Sequence, residues 1–154
     1  MTDSPNPMPE GQPPITPHSG LISTDWLPGP QNETRSPVIV SFTDFRANTD
    51  DELAEIARTG LDLGKTWPVM SGAVGLWLWA NPAQRRGGSI SVWLGRTDLE
   101  RFFLWDVHQA IVGSWRDRIE VCAQSWEDER LDADQAWLRA EKYMLAPRSE
   151  GAVM

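Results

Sequence analysis

The chain has 154 residues, room for one domain, with 14 Lys+Arg against 22 Asp+Glu and a formal net charge of −8. That acidic balance argues against a nucleic-acid binder, which needs a basic face, and no apolar run reaches the roughly 20 residues that span a bilayer. One cysteine excludes an intrachain disulfide and a multi-cysteine metal site, and no secretory signal is visible, so a soluble, cytoplasmic protein is expected.

Residues 1–36 hold eight of the 12 prolines, interspersed with Asn, Ser, Thr, Gly and Gln. Such a segment buries too little apolar surface to offset its ordering entropy, so it is expected to be a disordered leader, with Leu21, Ile22, Trp26 and Leu27 available to dock. A folded domain is expected over 37–146, followed by a flexible tail over 147–154. The β-branched and aromatic run from Pro37 to Phe45 predicts a first strand. Thr49-Asp50-Asp51-Glu52 has the spacing of a capping box, and Leu53, Ile56, Ala57 and Leu61 continue at helical period to about Lys65. Residues 73–80 and 89–94 predict two strands joined by a glycine-containing loop, an antiparallel hairpin with Arg85 and Arg86 at its tip. Those arginines are either solvated or in reach of an anion. Thr97-Asp98-Leu99-Glu100 repeats the capping-box spacing before a helix to about residue 115 or 118. Residues 119–126 predict a fourth strand. Asp132 caps a last helix whose Ala136, Trp137, Ala140, Tyr143 and Met144 form one apolar stripe. The order β-α-β-β-α-β plus a terminal helix is the ferredoxin-like, α+β arrangement.

The strands are apolar on both sides. Val74, Leu76 and Leu78 alternate with Trp77 and Trp79, and Ile90, Val92 and Leu94 with Ser89, Ser91 and Trp93. A tryptophan-bearing face left in water is a patch that soluble monomers rarely carry. The expected cover is the same face of a second copy in a homodimer, the alternative being the terminal helix or the leader.

The stretch Gly72–Trp79, the strand Ser89–Trp93 and the capped helix from Asp98 to His108 carry a resemblance. Together they resemble the dimeric α/β-barrel superfamily, which includes antibiotic-biosynthesis-monooxygenase-like proteins, over about residues 37–127. The resemblance implies a dimeric α/β barrel. Its members include cofactor-free oxygenases, haem-using enzymes, lactone isomerases and proteins with no known activity, so fold alone does not fix chemistry. The chain departs from the cofactor-free quinol oxygenases in that its only tyrosine, Tyr143, lies in the added helix.

His108 is the only histidine outside the leader, and histidine is the side chain that titrates near neutrality. It shares a stripe of the second predicted helix with Leu104, Trp105, Val112 and Trp115. It is either a packing residue or a general base; the resemblance adds pocket-lining and haem-ligating histidines near this place. Asp44, ending the first strand beside Phe45, is the second catalytic candidate, since apolar surroundings raise a carboxylate's pKa; an ion pair with Arg46, Arg101 or Arg116 is the alternative. Trp77, Trp79, Trp93, Phe102, Trp105 and Val112 are the candidates to line a site for a hydrophobic, aromatic small molecule. No metal site is expected, and no cofactor other than a possible haem. Two functions stay open: a monooxygenase-like tailoring enzyme, and a non-catalytic dimeric ligand-binding or scaffold protein.

Overall fold

Period-two burial builds the sheet. In the strand Val38–Arg46 (β3), Val38, Val40 and Phe42 point to one side, and Ile39 and Ser41 to the other. The computed structural model describes residues 17–147. In chain order the remaining elements are β1 (Ile22–Ser23), β2 (Leu27–Pro28), α1 (Asp50–Gly64), β4 (Ala73–Asn81), β5 (Arg86–Trp93), α2 (Arg96–Leu104), α3 (Asp106–Trp115), β6 (Glu120–Asp128) and α4 (Ala133–Leu145). The four long strands lie in the order β4-β5-β3-β6, every pair antiparallel. This is the ferredoxin-like sheet predicted from the order of elements.

The side-chain caps of α1 and α4 form as their spacing predicts, while the return bond of Glu52 goes to Asn48, one residue before the cap. Thr49 Oγ1 accepts from Glu52 N at 3.1 Å and Glu52 Oε1 accepts from Asn48 N at 3.1 Å, while Asp132 accepts from Gln135 N at 3.2 Å. The second expected capping box does not form. Gly95 takes the N-cap position of α2 with no side-chain bond, so Thr97 falls inside the first turn. The single helix expected up to about residue 115 is two helices, broken at Trp105, whose ψ of 132° is extended.

Two apolar layers flank the sheet. On one side, the helix face, α1, α2 and Trp67 pack over Ile39, Leu76, Leu78 and Trp93. On the other side, α4 lays Ala136, Trp137, Ala140 and Met144 over Val40, Phe42, Trp77, Trp79, Ile90 and Val92. The indole face expected to need a second copy is therefore covered by the chain's own terminal helix, and Trp93, expected with Trp77 and Trp79, is on the helix face. A register shift between Ala73 and Gly75 also moves Val74 to the side of the tryptophans, away from Leu76 and Leu78.

The segment expected as a disordered leader is ordered over its second half. β1 and β2 both pair with the outer edge of β4, Thr24 exchanges bonds with Leu78, and Gly29 N donates to Val74 O at 3.0 Å. Trp26 seats directly over Gly75, where a Cβ would fall 1.9 Å from its ring, and meets Trp77 edge-on at 4.5 Å. Thus a strand edge that would otherwise invite association is paired, and an indole that a Pro-rich segment would have left in water is buried. Residues 1–16 of that leader, and the expected tail beyond residue 147, lie outside the described residues.

Candidate active site

The break at Trp105 creates a local problem that side chains solve. Ending α2 frees the Phe103 carbonyl, and Gln109 Nε2 donates to it, with His108 Nδ1 also within 3.4 Å. A carbonyl only accepts, so this contact assigns the proton to Nδ1 and leaves Nε2 as the lone-pair nitrogen. The His108 ring lies 4.5 Å from Phe102 and 5.6 Å from Phe103, and among the described residues Nε2 has no hydrogen-bond partner. Desolvation in these surroundings lowers its pKa below 6.5, against a smaller raising effect of the Phe103 carbonyl. The imidazole is therefore neutral at pH 7, with one nitrogen tied down and the other open.

That shift gives a pH prediction. The folded pKa lies below the unfolded value of about 6.5, so the unfolded chain binds more protons in between. The stability associated with neutral His108 is present above pH 6.5 and lost as pH falls toward the folded value. Urea unfolding at pH 7.5 and 5.5 should show wild type losing more stability than His108→Gln; equal losses contradict the assignment.

Phe102 links His108 to a wall of rings. It lies 5.2 Å from Trp93, 5.4 Å from Trp67 and 6.3 Å from Trp105. Trp93 Nε1 donates to Ser91 Oγ at 2.9 Å, which ties this wall to the sheet floor. The buried Trp67 Nε1 has no oxygen or nitrogen partner, but Trp67 meets both Trp93 and Phe102 near edge-on, the arrangement of weak ring contacts. Of the residues named from the sequence, the structure brings together His108, Phe102, Trp93 and Trp105. Val112 sits on α3, 37% exposed.

The others lie elsewhere. Trp77 and Trp79 are buried under α4, Trp77 against Trp137 at 5.6 Å and Trp79 stacked on Phe42 at 5.5 Å with its Nε1 on Thr43 O. Asp44 is on that same side, opposite the histidine, and it forms an ion pair with an arginine outside the three expected from the sequence. Its partner is the hairpin arginine Arg86, which bonds both carboxylate oxygens, at 3.3 and 2.8 Å. Arg86 is 2% exposed, not at a solvated tip, whereas Arg85 pairs at the surface with Asp50. Arg46 and Arg85 line an open cleft of about 620 Å³ with Asn48, Asp50, Pro82 and Gln84, and both arginines are already paired with carboxylates. Among the described residues, no group of three or more His, Cys, Asp or Glu is placed to hold a metal ion, and no helix is long and apolar enough to cross a membrane.

The helix face also carries a row of hydroxyls outside the candidates named from the sequence. Ser41, Thr43, Ser89 and Ser91 recur at every second position of β3 and β5. That period was the available signal.

No family model matches the sequence, and no match to a curated protein is found. Solved structures do resemble the fold. An antibiotic-biosynthesis-monooxygenase candidate from Caulobacter crescentus CB15 superposes with a TM-score of 0.51 at 12% identity, covering 66% of this chain and 97% of that one. SnoaB, a cofactor-independent oxygenase from Streptomyces nogalater, gives 0.49 at 14% identity, covering 64% and 98%. A ferredoxin-fold protein related to antibiotic biosynthesis monooxygenases from Listeria monocytogenes gives 0.46 at 8% identity, covering 65% and 59%. At these identities the likeness concerns the fold: this chain is an α+β protein with the ferredoxin-like fold of the antibiotic-biosynthesis-monooxygenase-like proteins.

Proposed function

We propose that the chain is a small-molecule tailoring enzyme, monooxygenase-like, that acts on a hydrophobic aromatic substrate held between α2–α3 and the helix face of the sheet. The observation that supports this reading is the state of His108: neutral, its Nδ1–H turned to a backbone carbonyl, its Nε2 open beside an aromatic wall. Such a nitrogen is a general base. It would take the proton from a phenolic hydroxyl or an activated ring carbon, and the resulting electron-rich anion is the species that dioxygen oxidises. Trp93, Phe102 and Trp105 would hold the rings in place. The reading uses no cofactor. A neutral imidazole with a lone pair on Nε2 could also hold a haem iron, so the visible spectrum of the purified protein separates the two cases. A haem band abolished by His108→Ala would move the residue from base to ligand.

The test is oxygen consumption by the full chain with a panel of hydroxylated polycyclic aromatics. With a turned-over compound in hand, His108→Ala should lower kcat/KM by about 10²–10⁴-fold, the usual contribution of a general base. A variant as fast as wild type removes the histidine from the chemistry. Binding without turnover across the panel favours the alternative, a non-catalytic ligand-binding protein on the same fold.

A further inference from the structure

Two adjacent rungs of the helix face carry hydroxyls. Thr43 and Ser89 are cross-strand partners, as are Ser41 and Ser91, and Ser125 of β6 lies opposite Ser41 on its other side. The first rung is closed on itself. Thr43 Oγ1 lies 2.8 Å from Ser89 Oγ and also accepts from Ser89 N at 3.0 Å. The second rung is not closed. Ser91 Oγ accepts from Trp93 Nε1 at 2.9 Å, which leaves its own O–H without an acceptor. Ser41 is 3% exposed, yet its Oγ has no hydrogen-bond partner among the described residues.

Buried hydroxyls are normally paired, and a side chain that is not points to a missing acceptor. Ser41 Oγ is not sealed away: among the described residues the one side-chain nitrogen or oxygen both sealed and unpartnered is Trp67 Nε1. The row runs from buried Ser91 through Ser41 to exposed Ser125, so it opens toward the free edge of β6. Leu76 stands beside Ser91 on the next strand, and Trp93, with Phe102 packed on it, bonds to Ser91. The one buried cation among the described residues, Arg86, belongs to the opposite side and is fully engaged there. Hydroxyl donors with no positive charge behind them suit an uncharged acceptor oxygen better than a carboxylate.

We propose that Ser41 and Ser91 are the specificity-determining pair of this site, their O–H groups donating to the carbonyl oxygen of an uncharged aromatic ketone or quinone. This rests on the aromatic-ligand reading above and adds the polar group by which the ligand is oriented. 9-Fluorenone and fluorene test it, since they share one ring skeleton and differ in a carbonyl. In tryptophan-fluorescence titrations of the full chain, wild type should bind the ketone about 10-fold more tightly. Ser41→Ala should reduce that preference by about 3–10-fold, the worth of one hydrogen bond, while fluorene affinity stays constant. Ser91→Ala, which also removes the acceptor of Trp93 Nε1, should reduce the preference at least as much. Unchanged fluorene binding in Ser41→Ala also reports that this variant is folded. The carbonyl stretch of bound fluorenone should lie at lower wavenumber in wild type than in the double variant. Failure of both compounds to bind overturns the aromatic site and this proposal together. Equal binding of both by wild type, or a preference that survives in the double variant, leaves the site standing and overturns the serine pair.

Discussion

Arg86→Met should destabilise the protein by about 3–5 kcal/mol, the cost of leaving one partner of a buried ion pair behind. Arg86 spends all five of its N–H groups. Nε and Nη2 hold Asp44, Nη2 also reaches Tyr143 O at 2.8 Å, and Nη1 donates to Gln84 Oε1 and to Ala146 O, each at 2.8 Å. The two carbonyls belong to the end of α4, so one guanidinium both neutralises a buried carboxylate and stitches the terminal helix to the sheet. Lysine concentrates its donors on one nitrogen and cannot copy that fork, so Arg86→Lys should recover only a minor part. Removing the charge as well, in Asp44→Leu with Arg86→Met, should restore most of the loss, because a matched apolar pair leaves no buried ion. Urea titration followed by tryptophan emission measures all three. A single-variant loss under about 1 kcal/mol would mean that Asp44 has another route to stabilisation. With both oxygens of Asp44 held by Arg86, the carboxylate is a structural partner of α4 rather than a base for chemistry across the sheet.

What could be read from the sequence is what local physics determines. The four long strands follow from short apolar stretches, β-branched in β3 and tryptophan-bearing in β4, bounded by turn residues, and the caps of α1 and α4 from a hydroxyl or carboxylate placed three residues before the amide it binds. The apolar stripe of α4 identified a packed helix, but helical period says nothing about which surface receives it. The sheet has two apolar faces, and only the folded chain shows α4 on the side of Trp77 and Trp79. The face of Val74 was misjudged because a register shift at residues 73–75 breaks strict alternation. The break at Trp105 depends on Gln109 and His108 catching a freed carbonyl, an arrangement with no composition signature. His108 itself was identifiable as the one histidine outside the leader. Its tautomer was not, since that depends on the same carbonyl. Ser41 and Ser91 are hidden for a related reason: alternation groups Ser91 with Trp93 but says nothing about which surface covers them, and here that side lies beneath helices.

Trp137→Ala should cost about 3–5 kcal/mol, the range for deleting a buried aromatic ring. Trp137 is 3% exposed, meets Trp77 near edge-on and donates from Nε1 to Glu141 Oε2 at 3.1 Å. The same Oε2 accepts from His18 N at 2.9 Å, so the helix, the N-terminal segment and the indole face converge on one side chain. Because this layer does within one chain what a second copy was expected to do, the wild-type protein should sediment as a 17.3 kDa protomer at about 10 μM. The two measurements must agree. A wild-type dimer whose interface buries Trp77 and Trp79 would require α4 to leave the sheet, and Trp137→Ala would then cost little. The site is on the opposite side of the sheet, so the two faces should respond separately. Trp137→Ala should lower the unfolding midpoint while leaving fluorenone binding intact, whereas Ser41→Ala should weaken fluorenone binding with a midpoint close to wild type. Loss of binding in Trp137→Ala at temperatures where the variant remains folded would show that the two faces are coupled through β3 and β5, and that the terminal helix shapes the site as well as sealing the sheet.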